Sequence, residues 1–434
     1  MAWKALVWAL ALSMSSAAFA ANKLVIISPH RKSIQEEYVP KFEGWYQKTY
    51  KEQVKVDWLD QGGTSDDVRF VKSKFDQNAK TSGIDIFWGG GATAFIELNQ
   101  SKLLESYTPE TVKNGEVPAK ASGVNLYDKQ KTWFASAISS FGIFYNKKIL
   151  KFDGLKEPAT WADLGDFKYF GNVSSTDPRR SGTANTMNTI IIKSLGWDEG
   201  WKQLTKISAN TKTFTHSSSD PIKAVVSGDV AAAMAIDFYA LAKIGDLGEN
   251  NLGFILPKGQ TILDPDPIAI LKGAPNEKVA QRFVDFVLSN EGQKLLVLAK
   301  GQPDGPDRST LGRMAINTKT YKDTEGKRLT SDNPFVGNQF FNYDVEDVAR
   351  HREVFNDLFG ALFVDTHEDL KKAWQAAQKQ KNPEAALAEI AKLPVTEKEF
   401  EGLSAKWGDD VFRNKKINEW VSFAKKKYSG IASH

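Results

Sequence analysis

The chain has 434 residues, with 57 basic and 53 acidic side chains and no cysteine. Such a length calls for two or more lobes with cores of their own, and the near balance of charge leaves no long-range field to draw in nucleic acid or a membrane surface. Without cysteine, disulfides, thiol catalysis and a lipid-modified cysteine are excluded, so any preference for an anion has to come from local clusters.

Residues Met1 to Ala20 read as a secretory signal: Lys4 is the charged start, Ala5 to Leu12 the apolar run, and Ala18-Phe19-Ala20 an A-x-A cleavage site. The run is too short to span a bilayer, and no later stretch approaches ~20 apolar residues. The expectation is a soluble protein, cleaved after Ala20 and exported to the periplasm.

Lys23 to Ile27 predicts a buried strand, and Ile34, Tyr38, Phe42 and Trp45 mark one face of the helix that follows. Between them, Ser28-Pro29-His30-Arg31-Lys32 is a strand-to-helix turn carrying a hydroxyl, an imidazole and two cations. Ligands of open α/β sheets bind outside the carboxyl ends of strands, which makes Ser28, His30, Arg31 and Lys32 candidate ligand residues. The form then repeats, with Val54 to Leu59 as strand, a turn containing Thr64, and Val68, Val71 and Phe75 as helix face. Ile84 to Trp88 is a third strand. It ends in Gly89-Gly90-Gly91, and a helix runs from Ala92 to about Asn99. Glycines let a backbone come close to a ligand, which adds Thr64, Gly90, Gly91 and Ala92 to the candidates. There is no G-x-G-x-x-G, so no dinucleotide site is expected.

Trp133 to Tyr145 is long, apolar and dotted with hydroxyls, Ser139 among them, and predicts a strand that crosses from one lobe to another. Beyond it the strand-turn-helix rhythm resumes. Asp177-Pro178 favours a turn, and Ser181-Gly182-Thr183 opens a helix ending near Leu195. The unpaired N–H groups of that helix start sit beside Arg179 and Arg180, a combination suited to an anion. Arg179, Arg180, Ser181, Gly182 and Thr183 are therefore candidates. His216, Ser217 and Ser218 repeat the chemistry ahead of another helix. The strand Val230 to Ile236 ends in Asp237-Phe238-Tyr239, adding Asp237 and Tyr239. Asp264-Pro265-Asp266-Pro267 reads as a stiff connection between the strands Leu252 to Pro257 and Pro267 to Leu271. Glu277 to Leu296, Val345 to Phe363 and Leu370 to Leu393 read as helices.

Gly83 to Tyr107, Phe144-Tyr145-Asn146-Lys147, Pro158 to Leu164, Val225 to Met234 and Ser289 to Leu296 resemble family 1 extracellular solute-binding proteins of ABC importers. Within that family the chain is similar to the ferric-ion-binding-like branch, which also includes binders of phosphorylated sugars. The resemblance covers roughly residues 22 to 300 and fades beyond Asp304. It implies an α/β, type II periplasmic-binding-protein fold of two lobes with a hinge of two crossing strands. The first lobe is expected over 21–137 plus about 268–300 and the second over 138–267, with 301–434 a mainly helical region packing on the lobes. An inner-membrane ABC permease is the implied partner, and a monomer is expected, with no cofactor and no catalytic residue.

Family ferric sites use adjacent tyrosines just after the strand matching Val230 to Ile236. This chain has Phe238-Tyr239 there, and phenylalanine offers no oxygen to iron. The leading reading is thus a receptor for a phosphorylated solute: a sugar phosphate or a polyol or inositol phosphate. Arginines and hydroxyls would hold the phosphate, and Asp237 a ligand hydroxyl. The alternatives are a ferric receptor using His30, Asp237 and Tyr239, and an exported phosphoesterase. The latter lacks H-E-x-x-H, a P-loop and a suitable G-x-S-x-G. Polyamine binding is weaker still, because the turns carry cations where acids would be needed.

Overall fold

The computed structural model describes residues 22–336 and 340–433, and the expected leader, residues 1–20, lies outside them. Its strands are β1 (Asn22–Ile27), β2 (Val54–Leu59), β3 (Ile86–Trp88), β4 (Lys120–Ala121), β5 (Val124–Asn125), β6 (Phe134–Asn146), β7 (Val173–Thr176), β8 (Thr211–Thr215), β9 (Ala232–Ile236), β10 (Leu252–Ile255) and β11 (Leu263–Ile270). β4 and β5 form a small hairpin. The other nine make one sheet in the order β2-β1-β3-β11-β6-β9-β7-β8, with β10 also paired to β6. Helices α1 (Lys32–Tyr50), α2 (Thr64–Gln77) and α3 (Ala92–Gln100) follow β1, β2 and β3 in turn.

β6 ties the sheet together. All thirteen of its residues are buried, as its apolar composition requires. From Phe134 to Ser140 it pairs with β11, and from Phe141 to Asn146 it pairs with β9 and β10. The handover falls between Ser140 and Phe141, where side chains hold the backbone. Asp237 Oδ2 accepts from the Ser140 N–H at 2.9 Å and from its hydroxyl at 3.1 Å. The Thr261 hydroxyl donates to the Phe141 carbonyl at 2.6 Å.

Asp264 to Pro267, read from sequence as a connection, lies inside β11. The register against β6 shifts between Asp266 and Pro267, and this irregularity is what lets a strand accommodate residues without an N–H. Glu277 to Leu296 is two helices, Glu277–Leu288 and Asn290–Val297. Ser289 divides them, its hydroxyl accepting the Gly292 N–H at 3.1 Å as an N-cap. Leu370 to Leu393 is likewise divided into His367–Lys379 and Pro383–Ile390, because Pro383 can open a helix but not continue one.

Apolar side chains gather on both sides of the sheet. Around β1, β3 and the first part of β6, one cluster packs Tyr38, Phe42, Phe283 and Phe286, and reaches Met314, Ile316 and Tyr321 from the later chain. Around β7 and β9, a second packs Trp161, Ile190 and Trp201 with Phe355, Phe363, Trp374, Trp420 and Tyr428. The helices after Val345 therefore share a core with the β7–β9 half. The helix Val345–Phe359 also packs against α3 of the other half. No helix among the described residues is long and apolar enough to cross a membrane.

Candidate functional site

The turn after β1 is wired to β11. Ser28 Oγ accepts the His30 backbone N–H at 3.2 Å and lies 3.0 Å from His30 Nδ1. On the other side of the ring, His30 Nε2 is 2.7 Å from Asp266 Oδ2, which also pairs with Arg313. Gly90 N–H donates to Asp266 Oδ1 at 3.0 Å. Burial alone would raise the Asp266 pKa, but His30 and Arg313 outweigh it and hold the carboxyl well below the usual range. Burial also pushes the His30 pKa down, against the pull of Asp266. A neutral imidazole donating from Nε2 to Asp266 and accepting the Ser28 hydroxyl at Nδ1 satisfies every partner.

The glycine run is explained by the same packing. Gly89 and Gly90 have φ of 90° and 94°, and a Cβ on Gly89 would lie 2.5 Å from His30 Cε1. One on Gly90 would strike the Thr64 side chain. The glycines thus make room for His30 and Thr64, and the Gly90 amide is engaged by Asp266. Gly91 precedes Ala92, the first residue of α3, and makes no side-chain cap.

Arg31 and Arg313 lie over the pair that follows β9. The Arg31 guanidinium is 4.8 Å from the Tyr239 ring centroid and 5.2 Å from that of Phe238, and Arg313 is 4.1 Å from Phe238. Arg31 makes no ion pair among the described residues. Burial, with Arg313 nearby, lowers its pKa to about 10. Arg313 was invisible in the sequence, since Leu311-Gly312-Arg313 carries no motif and its partner is 47 residues away. Asp237, expected to face a solute hydroxyl, turns inward. It is 1% exposed and accepts from Ser140 and from the Phe238 N–H at 2.7 Å, and burial pushes its pKa up to about 7. Its position at the β6 handover makes it a structural anchor. Lys32 points to solvent and pairs with Glu36 at 3.3 Å, apart from the others.

Parallel pairing of β7 and β8 sets the two later turns side by side. The Thr176 and Thr215 hydroxyls are 2.9 Å apart, and Asp177 N–H donates to the Thr215 carbonyl at 3.0 Å. Ser181 caps the helix Gly182–Leu195 by accepting the Ala184 N–H at 3.2 Å. Arg179, a predicted ligand residue, is instead engaged within the protein. Its guanidinium bonds Asp177 and reaches Asp365 at 2.8 and 2.9 Å, and these pairings raise its pKa against the effect of burial. Arg180 is exposed and has no partner among the described residues, while Thr183 and Ser218 are half-buried and His216 exposed. Ser217 shares a 3.0 Å hydrogen bond with Ser219. Arg352, from the helix Val345–Phe359, approaches this turn: its Nη2 is 3.1 Å from where a Gly182 Cβ would be. Nothing in the sequence placed it there.

Two groups of candidates thus form: Ser28, His30, Thr64 and Gly90 near Asp266, with Arg31 over Tyr239 next to them, and Arg180 to Thr183 with His216 to Ser218 beyond β7 and β8. Ser139 lies on β6 opposite Asp264. No group of three histidine or acidic side chains suited to a metal occurs among the described residues.

The family of bacterial extracellular solute-binding proteins matches residues 83–316. The phosphoglycerate transport regulatory protein PgtC of Salmonella typhimurium is 27% identical over 340 residues, covering 74% of this chain and 79% of that protein. The major ferric iron-binding protein of Neisseria gonorrhoeae is 24% identical, covering 52% of this chain and 67% of that one. Among solved structures, the periplasmic binding protein AfuA of Actinobacillus pleuropneumoniae with fructose-6-phosphate bound superposes with a TM-score of 0.60. It is 22% identical, with 82% of this chain and 98% of AfuA covered. Iron-bound HitA of Pseudomonas aeruginosa gives 0.57 at 20% identity, covering 78% and 99%. At these identities the structural likeness carries the fold, which is the type II periplasmic-binding fold. The chain belongs to the bacterial extracellular solute-binding protein family.

Proposed function

We propose that this receptor captures a phosphorylated small molecule, a sugar phosphate or a polyol or inositol phosphate, between its two lobes by hinge closure, and passes it to an inner-membrane ABC permease. The observation that carries the reading is that cations without carboxylate partners stand on both sides. They are Arg31 beside β1 and Arg180 at the start of the helix Gly182–Leu195. Arg180, Ser181, Thr183, His216 and Ser218 supply donors around that helix start, where the backbone N–H groups also favour negative charge. Proteins named for phosphoglycerate transport, fructose-6-phosphate and 2-aminoethylphosphonate among the relatives support the same ligand chemistry. The lobes divide where β6 changes partners, between Ser140 and Phe141. The chain acts as a monomer in the periplasm, cleaved after Ala20, and has no catalytic activity of its own.

Ferric binding is disfavoured by the residues that it would use. Phe238 lacks a phenolate, Tyr239 lies under Arg31, Asp237 is turned inward and His30 is tied to Asp266. Two guanidinium groups at that place would repel a trivalent cation. A thermal-shift series with inorganic phosphate, hexose phosphates, inositol phosphates, ferric ion and polyamines tests the reading, because binding to the folded state raises the melting temperature. A rise with phosphorylated sugars or polyols is expected. A rise with ferric ion alone would overturn it, and turnover of a chromogenic phosphate ester would reveal an enzyme.

A further inference from the structure

Three polar groups beside the hinge strands have no use in the wiring described above. Ser139 is 4% exposed and Asp264 and Tyr343 are half-buried, yet none makes a side-chain hydrogen bond among the described residues. Ser139 on β6 and Asp264 on β11 are register partners, which puts their side chains on one face of the sheet. Gly91, at the uncapped start of α3, leaves the space over Asp264 open: a Cβ there would lie 3.8 Å from Asp264 Oδ2. Tyr343 arrives from a segment far along the chain. Phe340 bridges Thr261 in parallel, and Phe341 N–H donates to the Thr261 carbonyl at 3.0 Å. From there Tyr343 comes close enough to Asp264 for the carboxylate charge to raise the pKa of its phenol, alongside the effect of burial. The Asp264 carboxyl thus borders open space with no donor on it among the described residues, and partial burial, with Asp266 beside it, pushes its pKa up to about 7.

We propose that Ser139, Asp264 and Tyr343 form a subsite for hydroxyl groups of the solute, so that the phosphorylated ligand is polyhydroxylated. The inference rests on the receptor reading above and deepens it. Asp264 accepts from ligand hydroxyls, while the Ser139 and Tyr343 hydroxyls can each donate or accept. An ammonium group suits the place less well, since the Arg313 guanidinium sits on Asp266 two residues along β11 and His30 is engaged by the same carboxylate. Tyr343 lies beyond the residues 83–316 that the family matches, so the later chain contributes to selectivity.

Two matched pairs of probes test this: glycerol 3-phosphate against propyl phosphate, and myo-inositol 1-phosphate against cyclohexyl phosphate. Members of a pair share charge and frame and differ in hydroxyls alone. Calorimetry on the wild type, Asp264→Asn and Tyr343→Phe gives the preference for the hydroxylated member. The wild type should favour it in at least one pair. That preference should fall by roughly tenfold or more in Asp264→Asn, and by about threefold in Tyr343→Phe. Thermal unfolding checks that each variant is folded, and Tyr343→Phe keeps the question open to test should Asp264→Asn fold poorly. Binding of both members with no preference, or a preference untouched by the substitutions, would overturn the subsite and leave the phosphate receptor standing. Binding of none of the four probes or of inorganic phosphate would take down the receptor reading as well.

Discussion

The polar residues around β1 and those beyond β7 and β8 look alike in sequence but differ in how they are engaged. In the first group, Ser28, His30, Asp266, Arg313 and the Gly90 amide close a buried circuit in which both His30 ring nitrogens and both Asp266 oxygens have partners. In the second, Arg180, His216 and Ser218 stand at helix starts with their polar ends open. A satisfied network fixes geometry, whereas unsatisfied donors at the surface are free to receive a solute. Arg179 shows how narrow the difference is, because it neighbours Arg180 and yet belongs to the wired class through Asp177 and Asp365.

Substitutions can break this contrast. Asp266→Ala leaves Arg313 buried without its carboxylate, and should cost about 3–5 kcal/mol in denaturant unfolding. A loss below about 1 kcal/mol would mean that the circuit is not holding the fold. Arg180→Ala or His216→Ala should weaken solute binding by roughly tenfold, about 1.4 kcal/mol, with stability within about 0.5 kcal/mol of wild type. Arg179→Ala should do the converse. It would lower stability by about 1 kcal/mol through Asp177 and Asp365, and affect binding less than Arg180→Ala. Equal binding losses at 179 and 180 would erase the distinction.

A smaller effect comes from Asp264. Its pKa is raised by burial to about 7, so between about pH 4 and about pH 7 the folded chain holds a proton that the unfolded chain has released. Stability from this group is therefore lost as pH rises through that window. Asp264→Asn keeps the neutral form, and its melting temperature relative to wild type should climb from about pH 5 to about pH 8. Parallel curves would show an ordinary carboxylate. The smallest expected effect is that of Phe238→Tyr. It restores a tyrosine pair, but Arg313 and Arg31 still cover it, so iron loading should produce no red charge-transfer band. A strong band would return the ferric reading to favour.

Much of the fold was legible because apolar periodicity survives in single strands and helices. β1, β2 and α3 lie within a residue or two of their expected bounds, and the length of β6 announced its crossing. Prolines misled at β11, where a bulge and not a loop accommodates them. Ser289 misled by breaking a helix without interrupting its apolar stripe. In the candidate site, sequence marked residue types and turn positions, but not which groups would find partners. Asp237 and Arg179 found theirs in Ser140 and Asp365, the latter 186 residues distant, and no local pattern encodes such meetings. Arg313, Arg352 and Tyr343 were missed for the same reason.

The helices after Val345 share their core with the β7–β9 half, while the helix Val345–Phe359 also meets α3. As an instrument, the molecule then has a built-in pointer: a dye on the exposed end of the last helix, Asp410–Ala432, would ride with one half. A second dye at Lys32, whose side chain is 82% exposed at the start of α1, would ride with the other. Energy transfer between the two would report solute capture while leaving Arg180 and Asp264 untouched.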